Sequence, residues 1–178
     1  MKVIDVSRVL DENMPAYPGD PAFEKQVIHK TGFVLCKLSM SSHAGTHMDA
    51  PAHLEGGSMT IKDIPLEKIT GKCAVCEDHT DIMHAVNEGI RKILVKGEGF
   101  DFHAIASLPI ELIGIESLSI GDYDMHQAYL GKNIVVVEGL LLKDVPKGSY
   151  ILFALPLKTD IDGSPARVVL VDTEGGLL

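Results

Sequence analysis

The stretch Ser42-His43-Ala44-Gly45-Thr46-His47-Met48-Asp49-Ala50-Pro51-Ala52-His53 gathers three of the chain's eight histidines and an aspartate. Neutral imidazole together with carboxylate is the donor set of zinc, manganese or iron sites, and two histidines with one aspartate make part of a coordination sphere. All four residues stand at odd-numbered positions, which a packed core does not require. An extended strand advances about 3.3 Å per residue, so His43 and His47 on a straight strand would lie roughly 13 Å apart, too far to share one ion. The chain must bend between them, and Gly45 is where it can. His47 and Asp49 share a face without any bend. Pro51 argues against a helix through Asp49 to His53. The expectation is a strand that turns into a loop, with side chains converging on one point. No glutamate follows His43 or His47, so this is not the helical His-Glu-x-x-His arrangement.

Further donors lie in the C-terminal third. His126 falls in a predicted helix over 124–130 that stops at Gly131. Glu138 ends the apolar run Asn133-Ile-Val-Val-Val-Glu138, a predicted strand. A carboxylate buried there costs energy unless paired or bound to a metal; a strand-end surface glutamate is equally compatible with the pattern. His53 has the side chain that moves protons near neutral pH, or else it is a structural histidine beyond the cluster.

The elements that must position these residues read as mostly strands with a few short helices. Strands are predicted over 3–10, 23–30, 33–40, 72–77, 91–96, 109–115, 133–138, 149–157 and 166–171, the third running straight into the histidine stretch. Helices are predicted within 60–69 and over 81–88, the latter closed by Gly89. Residues 14–21, rich in proline and carrying Tyr17, form an ordered loop. The whole is a mixed α/β domain over 1–178, with most helices on one side of the sheet. At 178 residues the chain buries enough apolar surface to fold without staples. A formal charge of −9 argues against nucleic acid and anionic membrane surfaces as partners. The early acidic Asp5 and the lack of a long apolar run point to a soluble, cytoplasmic protein. Cys73 and Cys76 have CxxC spacing but no companion pair, and strand alternation sends them to opposite faces as apolar core residues. Asp162-Gly163-Ser164 reads as a turn. Glu98 and Asp101 read as a solvated loop.

His43-x-Gly45-Thr46-His47-x-Asp49-Ala50-Pro51-x-His53 resembles the signature of the cyclase-family metal hydrolases, which include bacterial kynurenine formamidases and isatin hydrolases. The likeness extends to Tyr17-Pro18-Gly19-Asp20-Pro21, to Gly114-Ile115-Glu116-Ser117-Leu118-Ser119, to His126 and Val136-Val137-Glu138-Gly139-Leu140, to Ala154-Leu155-Pro156-Leu157, and to Asp162-Gly163-Ser164-Pro165-Ala166-Arg167. It therefore covers nearly the whole chain. The resemblance implies a swivelling β/β/α-like fold and a site for two divalent ions, zinc with manganese as the alternative. His43, His47 and Asp49 would hold the first ion; Asp49, His126 and Glu138 would hold the second, with Glu138 touching both. His53 matches the family's acid/base position, and Tyr17 would line the substrate pocket. It further implies a metal-activated water attacking a small non-peptide amide, with N-formylkynurenine in tryptophan catabolism as the leading substrate and a cyclic amide such as isatin as the alternative. Relatives assemble as dimers or higher oligomers, so a homo-oligomer is expected. Tyr17 stands where relatives tend to carry tryptophan, the segment between Ile93 and Ile113 is shortened, and Lys96–Phe100 replaces a Thr-Gly-Trp-type strand end. The substrate wall is therefore altered around a retained metal core. The competing class is a metal-stabilised binding protein whose ligands leave no open coordination position.

Overall fold

Alternating apolar residues in strands of very different sequence position close on one another to make a barrel. The computed structural model describes residues 1–172. Its strands are β1 (Lys2–Asp5), β2 (Glu24–Lys30), β3 (Phe33–Ser39), β4 (His47–Asp49), β5 (Thr70–Cys76), β6 (Lys92–Val95), β7 (Leu112–Ile115), β8 (Val135–Glu138), β9 (Gly148–Pro156) and β10 (Gly163–Asp172). Its helices are α1 (Leu66–Ile69), α2 (His79–Asn87), α3 (Phe102–Ile105) and α4 (Tyr123–Leu130). The main sheet runs β1-β10-β4-β8-β7-β6-β5-β9, and β10 pairs again with β9. Seven strands thus form a closed ring, with β1 attached outside it along β10. Strands β5 to β8 are parallel neighbours, and α2, α3 and α4 are the crossovers that parallel pairing requires. The remaining pairings are antiparallel.

Period-two alternation divides the core in two. Met48, Cys73, Val75, Leu94, Leu112, Val135, Val137, Leu152 and Val168 fill the barrel interior. Ala74, Cys76, Ile93, Val95, Ile113, Ile115 and Val136 point outward and are covered by Ile82, Ile105, Tyr129 and Leu130 of the three crossover helices. Most of the helices, α2, α3 and α4, do lie on one side, and Cys73 and Cys76 do face opposite ways.

Several local expectations shift. The first strand stops at Asp5 rather than 10, because the Ser7 side chain takes over the pairing: its Oγ donates to the Val168 carbonyl at 3.0 Å and accepts from Val168 N–H at 2.7 Å. The 109–115 strand begins only at Leu112. Residues 60–69 contain the expected short helix as the single turn of α1, preceded by a 3-10 turn over Ile61–Asp63. Asp101 is not merely solvated, since its carboxylate accepts from Ala104 N–H and caps α3. The strand over 33–40 does not run into the histidines. It pairs only with β2 as a separate two-stranded sheet, and the chain turns before entering β4. The order is therefore loop then strand, the reverse of the expected strand then loop.

Candidate metal centre and proton-transfer site

Strand parity decides which side of the barrel carries polar groups. Met48 points inward, so His47 and Asp49 point outward. In the antiparallel β4–β8 pair His47 is the direct partner of Glu138, and both side chains stand on the outer face under α4. On the other edge of β4, Asp49 is the direct partner of Gly163. A Cβ at Gly163 would lie 2.7 Å from His43 Cε1, so the bare backbone there is what gives the His43 ring its place. Gly45 supplies the expected bend, with φ at +64°. Gly139, at φ +70°, lets β8 end against the Gly45 carbonyl, which an added Cβ would meet at 2.5 Å. Its carbonyl is gripped by the Thr46 hydroxyl at 2.7 Å and by Arg8 Nε–H at 2.9 Å. Asp122 caps α4 by accepting from Met125 N–H. His126, one turn in, shares a buried face with Tyr129 and Leu130.

These elements bring His43, His47, Asp49, His53, His126 and Glu138 into one cluster. The ring centroids of His43 lie 5.1 Å from His47 and 4.3 Å from His53, and His53 is 5.3 Å from His126. Each carboxylate reaches two ways. Asp49 Oδ1 is 2.9 Å from His43 Nδ1 and 3.5 Å from His47 Nε2, while its Oδ2 is 3.7 Å from His126 Nε2. Glu138 Oε2 is 3.2 Å from His47 Nε2, and its Oε1 is 3.6 Å from His126 Nε2. Ile120 N–H donates to Glu138 Oε1 at 2.7 Å.

The hydrogen bonds fix two ring tautomers. His47 Nδ1 faces the Gly45 carbonyl at 3.1 Å, and His126 Nδ1 faces the Asp122 carbonyl at 2.9 Å. A carbonyl only accepts, so both Nδ1 atoms carry hydrogen and both Nε2 atoms present lone pairs to carboxylates. Acceptor then faces acceptor in a buried space. His47 Nε2 and Asp49 Oδ2 are buried with no hydrogen-bond partner; the 3.2 Å approach of Nε2 to Glu138 is not aligned as a bond. A cation resolves this arrangement, whether a proton on the rings or a metal ion. The ligand atoms of His43, His47 and Asp49 lie within 4.8 Å of one another, as do those of Asp49, His53 and His126. The donor set and the unpartnered atoms therefore fit a divalent ion.

Electrostatics point the same way. Burial lowers the His43 pKa, but Asp49 and Asp162 outweigh it and lift the ring to about 9. His47 and His126 are likewise held up against burial, chiefly by Glu138. Burial raises Glu138, yet His126 and His47 bring it down to about 2.

Asp162 belongs to this cluster although its sequence context reads as a turn. Its Oδ2 lies 2.8 Å from His43 Nε2 and 3.2 Å from His53 Nδ1. Those partners hold it at about 2 against the upward pull of partial burial. The resemblance to the family's Asp-Gly-Ser-Pro-Ala-Arg block was the one signal pointing here. Tyr17 stands at the mouth of a cavity of about 330 Å³ whose floor is the cluster and whose walls include Leu54, Leu118 and Tyr123.

The putative cyclase family model matches residues 4–96, more than half of the chain and the whole first half of the cluster. The chain belongs to this family. Kynurenine formamidase of Paracidovorax citrulli is 32% identical over 93% of this chain and 94% of its own, and that of Maricaulis maris is 30% identical over 95% and 97%. A solved structure described as a predicted metal-dependent hydrolase, from Bacillus stearothermophilus, is 30% identical, covers 95% of this chain and 97% of that one, and superposes with a TM-score of 0.77. Isatin hydrolase A of Labrenzia aggregata, at 21% identity, covers 96% of this chain and 93% of its own and shares the fold with a TM-score of 0.74. The cyclase-family chain is thus a hydrolase with a closed, mixed seven-stranded sheet and few short helices, and its His/Asp cluster has the composition of a divalent metal site. No described helix is long and apolar enough to cross a membrane.

Proposed function

We propose that this protein is an arylformamidase, hydrolysing N-formylkynurenine to kynurenine and formate in tryptophan catabolism. The observation that carries the metal-dependent reading is the pair of buried, unpartnered acceptors, His47 Nε2 and Asp49 Oδ2, aimed into a cluster of lone pairs. The kynurenine formamidases it resembles over nearly their whole length supply the substrate. His43, His47 and Asp49 hold one ion, and Asp49, His126 and Glu138 hold a second; the two-way reach of both carboxylates supports this division. Zinc suits three imidazoles and two carboxylates, with manganese as the competing metal. Divalent ions held there would supply a water acidified towards neutral pH and a Lewis acid for the substrate carbonyl.

The chain's own residues do the rest. His53 stands at the cavity edge with its ring anchored through Nδ1, leaving the Nε2 lone pair to take the proton that the attacking water loses and pass it to the departing amine nitrogen. Without that proton the amine is a poor leaving group. Tyr17 and Tyr123 offer flat surfaces to an aromatic ring at the cavity mouth. The chain is further inferred to work as a homo-oligomer. The β2–β3 hairpin supports this: it exposes Phe33 at 74% and Val34 at 63%, together with Leu35 and Leu38, and a lone two-stranded hairpin is marginal in water. Its residues carry three lysines against one glutamate in a chain of −9, so its charge suits a second copy of this acidic body. The three free cysteines suit a reducing compartment, and the proposed location is the cytoplasm.

The test is turnover of N-formylkynurenine by metal-loaded and chelator-stripped protein, with isatin as a parallel substrate, in the parent and in His53→Ala. The expected result is chelator-sensitive formamide hydrolysis, and a His53→Ala variant that keeps its metal but turns over about 10²- to 10⁴-fold more slowly. Tight metal with no turnover of either substrate would make the cluster a structural site. Isatin hydrolysis without formamide hydrolysis would move the substrate to cyclic amides.

A further inference from the structure

The cluster contains one carboxylate that the metal division above does not use. Asp162 precedes β10, and its surroundings leave it little freedom. Its backbone carbonyl accepts from Ala50 N–H at 2.8 Å, the carbonyl of Ile161 accepts from Ile61 N–H at 3.1 Å, and Ser42 Oγ donates to its Oδ1 at 3.1 Å. The other oxygen, Oδ2, receives two rings at once, His43 through Nε2 and His53 through Nδ1. An ionised carboxylate only accepts, so it selects the nitrogen of each ring that carries hydrogen.

We infer that Asp162 is a positioning residue that sets the tautomers of His43 and His53 together through a single oxygen. With Nε2–H of His43 committed to Asp162, Nδ1, which faces Asp49 Oδ1 at 2.9 Å, is the nitrogen that would exchange its hydrogen for the first ion. With Nδ1–H of His53 committed to the same oxygen, Nε2 is left for the substrate. Gly163 completes the arrangement, because the flat backbone beside Asp162 lets the His43 ring lie close enough to use it. One side chain therefore orients a metal ligand and the proton carrier, and touches neither ion nor substrate. The part concerning His53 rests on the proposed acid role; the part concerning His43 does not.

The experiment uses full-length Asp162→Asn, Asp162→Ala and Asp162→Glu, stripped with chelator and titrated with Zn²⁺, with histidine ring ¹⁵N spectra recorded on the zinc-loaded proteins. Near-isosteric Asp162→Asn guards against loss of fold, checked by its unfolding midpoint. Asn and Ala are expected to bind the same number of ions as the parent with affinity about 10- to 100-fold weaker. The His53 signals should change from a pure Nδ1–H form to a tautomer mixture. Turnover of the formamide should fall with KM within about twofold, and Glu should recover part of each loss. A smaller number of ions at saturation would make Asp162 a ligand and overturn the proposal, as would unchanged affinity with an unchanged His53 spectrum. If the parent turns over no formamide, the arylformamidase reading fails, while the zinc affinity and ring spectra still decide the role of Asp162.

Discussion

At the cluster, buried polar atoms face one another without partners; at the β2–β3 hairpin, apolar side chains face water without cover. His47 Nε2 and Asp49 Oδ2 lie inside the protein and lack a hydrogen bond. Phe33, Val34, Leu35 and Leu38 lie outside and lack a core. Each region departs from the pattern of the parallel strands β5, β6 and β7, whose apolar residues are sorted into the barrel or under helices. The departures have opposite signs, and they call for opposite complements, a cation in one case and an apolar surface in the other. Neither complement is present among the described residues, so local unsatisfied chemistry is a guide to what to test for binding.

The largest expected effect comes from removing the side chain that both halves of the cluster share. Asp49→Ala should abolish retained metal and lower turnover by more than about a thousandfold, since it removes both Oδ1 and Oδ2. Its neighbour Met48 faces the barrel interior, so Met48→Ala should do the reverse, costing about 2–5 kcal/mol of stability while keeping the metal. Elemental analysis and denaturant unfolding of the two variants measure the contrast. Equal metal loss in both would mean that the two faces of β4 are not independent. Next in size is the hairpin. If the proposed homo-oligomer forms through this hairpin, Phe33→Glu with Leu35→Glu should give a monomer in analytical ultracentrifugation with metal content unchanged. A parent that already sediments as a monomer would leave the apolar hairpin without its proposed cover.

A pH series separates the two regions further. In the ion-free protein His43 is raised from 6.5 to about 9, so its stabilising contribution is complete below 6.5 and disappears as pH rises through 9. Glu138 and Asp162, lowered to about 2 from 4.5 and 3.8, contribute above those ordinary values and lose their contribution as pH falls towards 2. The cluster thus favours the ion-free fold most between about 4.5 and 6.5. Bound ions require the histidines to shed protons, so zinc affinity should climb from pH 6.5 to 9, about tenfold per unit for each proton displaced. Thermal melts with and without chelator, and zinc titrations across that range, check both slopes; a flat affinity would contradict protonated histidines in the ion-free cluster. The smallest effect concerns thiols. Burial pushes Cys73 and Cys76 up to about 12, so one thiol, Cys36 on the hairpin, should react in the native protein. Its labelling should quicken in the monomeric hairpin variant.

Legibility in the sequence followed the range of the interactions. Gly45 could be identified as the bend because the four-residue distance from His43 to His47 is a local constraint. The opposite facing of Cys73 and Cys76 is also local. Barrel closure was not legible, since it depends on β10 pairing with β9, β4 and β1, and register across long separations leaves no periodic trace. Continuous apolar strands such as Val135–Val137 are buried on both faces, so their pattern reveals a strand without revealing which face carries Glu138. Asp162 lay within the family resemblance, but its local residues hid its role for another reason. An aspartate before glycine is ordinary turn chemistry, and only the three-dimensional approach of His43 and His53 shows what its carboxylate holds. The hairpin's separateness was hidden as well, because Phe33–Ser39 alternates no differently from a strand of the main sheet.

The position of β4 has a consequence for how the protein is made. This three-residue strand is pinned between β8 and β10, both of which leave the ribosome well after it. A nascent chain carries His43, His47 and Asp49 long before His126, Glu138 or Asp162 exist to face them. Completion of the candidate metal site is then a late event, coupled to insertion of β4 into its slot, and no shorter nascent chain holds all of its donors.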